Sequence, residues 1–197
     1  MENNDGRIER LLIGATGSIG IVNLIPYIVE WKMNNWVKDV QVILTEMATS
    51  FIPPSTFAYF CNDVHVEMRD FSGGRIKHIE LASWAQLFLI MPASVNIIGK
   101  AACGVADDLL STSLVASSCP TVFVPNMNPI MYAKPTVQRN LHQLVKDGYY
   151  VIKPTRQKGF QASIGEVVDT LGIPQPHIIM QELLKILQLS QKVSEMK

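Results

Sequence analysis

Arg10-Leu11-Leu12-Ile13-Gly14-Ala15-Thr16-Gly17-Ser18-Ile19-Gly20 opens with an apolar run too short for a helix, then breaks into glycines and hydroxyls. Apolar residues then return at helical spacing, as Ile19, Val22, Ile25, Ile28 and Val29, with Pro26 as the place for a kink. A strand, a glycine-rich turn and a helix in that order are the opening of a βαβ unit. The same alternation continues down the chain. Strands are predicted at 40–45 (VQVILT), 87–91 (LFLIM), 121–124 (TVFV) and 149–153 (YYVIK), and helices over 18–32, 77–86, 99–116, 137–146 and 178–189. The expected fold is a single α/β domain over 1–197, an open Rossmann-like (flavodoxin-like) parallel sheet flanked by helices. Residues 155–176, with Gly159, Gly165, Gly172, Pro174 and Pro176 and no clear period, read as a flexible excursion and a candidate lid.

The bulk composition narrows the function. A chain of 197 residues suits one domain with a sizeable core. Its 17 Lys and Arg balance its 17 Asp and Glu, so neither a nucleic acid nor an anionic membrane is suggested as a partner. With 17% charged and 48% hydrophobic residues, apolar surface is left over for a homo-oligomer to cover. Cys61, Cys103 and Cys119 lack CxxC spacing, which argues against a disulfide framework or a zinc site and fits a reducing cytoplasm. Residues 1–10 are polar where a signal peptide needs an apolar core, and no apolar run approaches the roughly 20 residues of a spanning helix. A soluble, cytoplasmic protein is expected, with no metal.

In open parallel sheets ligands sit beyond the carboxyl ends of the strands, and four segments fall there or near. Gly14 to Gly20 can hold a phosphate on helix N–H groups aided by the Thr16 and Ser18 hydroxyls. It is not GxGxxG, and Thr45, not an acid, ends the second strand, so taken alone it is equally a tight turn with a capped helix. Pro92-Ala93-Ser94-Val95-Asn96-Ile97 offers Ser94 and Asn96 to a planar heterocycle or a carboxylate, or is simply a polar turn with Asn96 as N-cap. Pro125-Asn126-Met127-Asn128-Pro129-Ile130-Met131-Tyr132 puts two amides and two methionines in one loop, a set suited to an amide, a carboxylate or a thiol-bearing group. His78, at the start of a predicted helix, is a candidate base or a surface histidine; His65, His142 and His177 have no motif around them.

In this order, the segments resemble the homo-oligomeric flavin-containing cysteine decarboxylases over about residues 8–165. PASVNI is similar to that family's PASANT motif, PNMNPIMY to its PxMNxxMW motif, and His78-Ile79-Glu80-Leu81 with Trp84-Ala85 to its active-site histidine segment. GVADDLLST, 104–112, resembles its small-residue helix, which makes Asp107 and Asp108 structural or flavin-edge residues rather than a metal pair. Val95, Ile97 and Tyr132 depart from the motifs, while Ser94, Asn96, Met127 and Asn128 keep them. KGFQASIG, 158–165, lacks the ACGD-type cysteine of the coenzyme A enzymes and resembles the peptide-clamping segment of the lantibiotic peptidyl-cysteine decarboxylases of the epidermin and mersacidin type.

That resemblance implies a flavin-dependent oxidative decarboxylation of a C-terminal cysteine in a precursor peptide, giving a peptidyl ene-thiol. It implies His78 and Asn96 as catalytic residues and Asn128, Met127 and Phe160 as substrate-binding ones. Gly17, Ser18, Ile19, Thr45, Phe51, Ser94, Val95, Asn96, Ile97 and Asn126 are implied as flavin contacts. FMN is the implied cofactor, with FAD as the alternative, and a homo-oligomer, trimer or dodecamer, the implied assembly; a peptide-modifying synthetase is the implied functional partner. The alternatives are a phosphopantothenoylcysteine decarboxylase of coenzyme A synthesis and a non-catalytic regulatory flavoprotein of the same fold.

Overall fold

A computed structural model describes residues 6–66, 76–161 and 165–195. Six parallel strands form its centre: β1 (Ile8–Ala15), β2 (Val37–Leu44), β3 (Asp63–His65), β4 (Leu87–Ala93), β5 (Thr121–Pro125) and β6 (Tyr150–Val151). Their order across the sheet is β3-β2-β1-β4-β5-β6, so the winding reverses between β1 and β4. This is the doubly wound order of the expected Rossmann-like open sheet.

The helices are α1 (Leu24–Met33), entered through a 3-10 turn (Ile19–Asn23), then α2 (Glu46–Thr49), α3 (Pro54–Phe57), α4 (Lys77–Trp84), α5 (Val95–Cys103), α6 (Leu109–Ala116), α7 (Pro129–Tyr132), α8 (Pro135–Lys146) and α9 (Pro176–Glu195). Two hydrophobic cores lie on opposite faces of the sheet. Leu11, Ile13, Leu89, Met91, Val122 and Val124 point to a core shared with α1 and α9, while Leu12, Phe88, Ile90 and Phe123 alternate to one shared with α4, α5, α6 and α8. Burial on both faces explains why these strands read as continuous apolar runs. No helix among the described residues is long and apolar enough to cross a membrane.

Three expectations are corrected. The stretch predicted as one helix over 99–116 is two, because Gly104 takes a left-handed φ of 67° and closes α5. Asp108 then starts α6 with a capping box, its carboxylate accepting from the Ser111 N–H at 2.7 Å. Lys100 bridges back to both Asp107 and Asp108 and holds their carboxyls below the usual range, so this acidic pair is a helix-connecting clasp. Second, the sheet has one strand more than the five expected, since three-residue β3 shows no apolar run. Third, the stretch predicted as a loop from 155 contains a two-stranded antiparallel hairpin, β7 (Thr155–Gln161) and β8 (Glu166–Gly172), with Gly165 in the turn at φ 72°. The Phe160 side chain and residues 162–164 lie outside the described residues.

Candidate functional site

In doubly wound sheets a crevice lies outside the carboxyl ends of the strands where the order reverses; here that point is between β1 and β4, and the loops after β1, β4 and β5 meet there. The hydrogen bonds between them are direct. The Thr16 hydroxyl donates to the Pro92 carbonyl at 2.7 Å and accepts from the Ser94 N–H at 2.9 Å. The Asn126 N–H donates to the Ala93 carbonyl at 3.0 Å. The Ser18 hydroxyl donates to the Asn126 side-chain oxygen at 2.5 Å, with the Asn126 carbonyl at 3.1 Å. Three loops distant in sequence are thereby stitched into one floor.

Glycines let that floor close. A Cβ on Gly17 would lie 2.6 Å from the Cβ of Met47, so the loop after β2 can approach the first only because Gly17 has no side chain. A Cβ on Gly20 would meet the Asn126 side-chain oxygen and lie 2.8 Å from its Cγ. We expect Gly20→Ala to lower stability by about 1–3 kcal/mol, the usual cost of overpacking, with a fall in Tm of about 2–4 °C per kcal/mol at this size. Thermal melts of Gly20→Ala, Asn126→Ala and the double variant check it. The double variant should lose less than the two single changes summed, because Asn126→Ala removes the group that is struck.

Around this floor the implied site residues divide. Ser94 is the N-cap of α5, its hydroxyl makes no capping bond, and Asn96 stands exposed in the first turn, two residues past the cap. The α5 N-terminus therefore offers a hydroxyl not engaged in the cap together with backbone N–H donors. Ile97 is buried in the core, so only its backbone can face the crevice, and Val95 packs partly against the same core. Thr45 caps α2, its hydroxyl accepting from the Ala48 N–H at 3.3 Å, and Phe51 is exposed just beyond that helix. Asn128 caps α7, its side-chain oxygen accepting from the Ile130 N–H at 2.8 Å. That bond commits the oxygen and leaves the NH₂ as the group able to bind an acceptor such as a carboxylate or a carbonyl. Met127 packs partly against the core beneath.

His78 is the second residue of α4 and half-buried. A crossover helix between parallel strands runs antiparallel to them, so the start of α4 lies at the same carboxyl edge as the three loops. Thr16 is the residue that sequence reasoning misassigned. Read as a phosphate donor, it is 2% exposed with its hydroxyl used on both sides, and it serves the loops. The register pairing Gly14 with Ile90 brings it beside the loop after β4, a neighbour no local pattern reveals.

A crevice at a topological switch point, floored by hydroxyls, amides and open helix N–H groups, has the donor set for a ligand that combines a phosphate with a ring bearing carbonyls and ring nitrogens. Comparison with known families agrees: residues 1–172 match the flavoprotein family. The chain belongs to that family.

Among relatives of this flavoprotein, the mersacidin decarboxylase of a Bacillus species is 38% identical over 168 residues, 85% of each chain. The epidermin decarboxylase of Staphylococcus epidermidis is 30% identical over 175 residues, 89% of this chain and 94% of the relative. The solved structure of MrsD from the same Bacillus superposes with a TM-score of 0.77 at 35% identity, covering 91% of this chain and 96% of that one. A histidine-to-asparagine variant of EpiD complexed with the substrate peptide DSYTC gives 0.82 at 28% identity, covering 90% and 99%. SpaF, a structure described as an FMN-dependent cysteine decarboxylase, gives 0.75 at 32% identity, covering 90% and 96%.

Proposed function

We propose that this flavoprotein carries out the oxidative decarboxylation of a C-terminal cysteine of a precursor peptide, with FMN as cofactor. The observation that carries the reading is the hydrogen-bonded meeting of the loops of Ser18, Ser94 and Asn126 at the β1–β4 switch point, with Asn96 in the first turn after Ser94 and Asn128 two residues beyond Asn126. It is supported by relatives named as mersacidin and epidermin decarboxylases and by the peptide-bound EpiD variant. FMN is favoured over FAD by the FMN-dependent cysteine decarboxylase among the similar structures.

In this reading the Gly17–Ser18–Ile19 turn, Thr45, Phe51 and the Ser94–Ile97 segment, with Asn126, hold the flavin. Bound flavin supplies a two-electron acceptor for oxidising the cysteine CH₂–SH to a thioaldehyde. His78 takes the proton that the cysteine gives up. Asn96 and the Asn128 NH₂ hold the terminal carboxylate and amide, and Met127 packs beside the reacting carbon. With a thiocarbonyl β to it, the carboxylate leaves as CO₂ and its electron pair passes to the thiocarbonyl, leaving the peptidyl ene-thiol. The chain's work is to position the cysteine and keep water out. The hairpin carrying Phe160 closes over the peptide.

The surface favours an assembly of copies. Ile19, Met47, Phe51, Ile130 and Met131, large apolar side chains on segments that follow β1, β2 and β5, are all exposed, and a trimer or dodecamer would cover them. A reducing cytoplasm suits its three free thiols. The ene-thiol is reactive, so a synthetase that supplies a dehydrated residue for cyclisation is the fitting partner.

Purified protein is expected to be yellow and to release FMN. Mass spectrometry of a peptide ending in cysteine should show loss of the mass of formic acid, that is CO₂ plus two hydrogens. Colourless protein, or an unchanged peptide mass in the presence of bound flavin, would contradict the proposal. Turnover of phosphopantothenoylcysteine in preference to the peptide would transfer the activity to the coenzyme A type of substrate.

A further inference from the structure

Thr16 follows β1 and is 2% exposed, so its side chain is shut off from solvent at the carboxyl edge of the sheet. Its single proton goes to the Pro92 carbonyl and its oxygen receives the Ser94 N–H, so the hydroxyl has one donor and one acceptor role, both used in tying β1 to the loop after β4. On the other side of that loop the Asn126 N–H grips the Ala93 carbonyl. The Ala93–Ser94 segment is thus pinned from both neighbouring strands, Ser94 by Thr16 and Ala93 by Asn126.

The pinning matters because of what Ser94 does not do. It is the N-cap of α5, with φ −75° and ψ 164°, and an N-cap side chain normally accepts from the second or third N–H of its helix. Here that bond is missing, so the helix start is held in place from outside, by Thr16. The arrangement leaves the Ser94 hydroxyl out of the helix cap and fixes the backbone at the start of α5 beforehand, which lowers the ordering cost of binding there.

We propose that Thr16 is a positioning residue for the flavin: it touches no ligand, and it sets Ser94 and the α5 N-terminus in the geometry that binds one. The inference rests on the reading of the crevice as the FMN site. Thr16→Val keeps the shape and removes the hydroxyl; Thr16→Ser keeps the hydroxyl. For Thr16→Val we expect the FMN dissociation constant of the purified holoenzyme to rise about tenfold, the scale of one lost hydrogen bond, together with a shift in the visible flavin bands. Amide hydrogen exchange at residues 93–96 should quicken while that in β5 and α9 does not. Thr16→Ser should stay near the parent in all three measurements.

Thr16→Val with parental exchange at Ser94 overturns the proposal, and so does faster exchange with unaltered FMN affinity, which would leave Thr16 a purely structural residue. Should the valine variant not fold, Thr16→Cys, with its weak donor, takes its place under the same expectations. A parent protein that holds no flavin would sink the cofactor reading instead, and exchange at Ser94 still decides whether Thr16 fixes that loop.

Discussion

A His78→Asn variant is expected to keep its fold and its flavin and to lose about 10²–10⁴-fold in peptide turnover, the range of a missing acid–base group. The substitution is chosen for what it spares. His78 stands half-buried in the first turn of α4, where the N-cap Ile76 supplies no side-chain hydrogen bond. Asparagine can still donate and accept hydrogen bonds there, so stability should move by no more than about 0.5 kcal/mol, as at other sites outside the core. It cannot carry a proton between substrate and solvent. The measurement is single-turnover mass loss from a cysteine-ending peptide, with the melting temperature and visible spectrum taken on the same sample. Full turnover in a folded, yellow variant would remove His78 from the mechanism, while loss of colour would make it a cofactor-site residue.

What could be read in advance follows the physics of each element. β1, β4 and β5 are buried on both faces, so they appear as unbroken apolar runs, and their order with the helices already specifies a parallel sheet. β3 is an edge strand of Asp63, Val64 and His65 and has no such run. The β7–β8 hairpin escapes for a related reason. Arg156, Gln157, Lys158 and Gly159 line one strand with no apolar face, and its counterpart Glu166, Val167 and Asp169 is exposed, so the period of two has no hydrophobic contrast to display. The break between α5 and α6 was legible in Gly104 and Asp108, a helix stop followed by a helix start.

The candidate site was legible in part. Its segments announce themselves by composition at strand ends, because polar residues that follow an apolar strand fall at the sheet's carboxyl edge. Which loop a hydroxyl meets depends on strand register, and Thr16 and Ser18, two residues apart, differ in just that respect: Thr16 is buried against the loop after β4, while half-buried Ser18 donates to Asn126 in the loop after β5. Asn128 shows the complementary case, where knowing that the oxygen caps α7 decides which end of the amide is available.

Asn96→Asp tests the carboxylate contact by setting stability against function. Asn96 lies in the first turn of α5, a turn with no acidic residue, and is exposed. A carboxylate there meets the positive end of the helix and should stabilise it, by about 0.3–1 kcal/mol, so the melting temperature is expected to hold or rise. Toward the substrate the sign reverses. If the terminal carboxylate of the peptide binds at this residue, the variant puts two negative charges within about 4 Å, a repulsion of about 4 kcal/mol at the effective dielectric of a partly exposed site. At about 1.4 kcal/mol per factor of ten, kcat/KM should fall by about three orders of magnitude. The loss should shrink for a peptide whose terminal carboxylate is amidated, used as a competitor and not as a substrate, since its binding escapes the repulsion. A more stable protein that binds the free-acid peptide as well as the parent does would detach Asn96 from the carboxylate, because no unfolding could then be invoked to mask the effect.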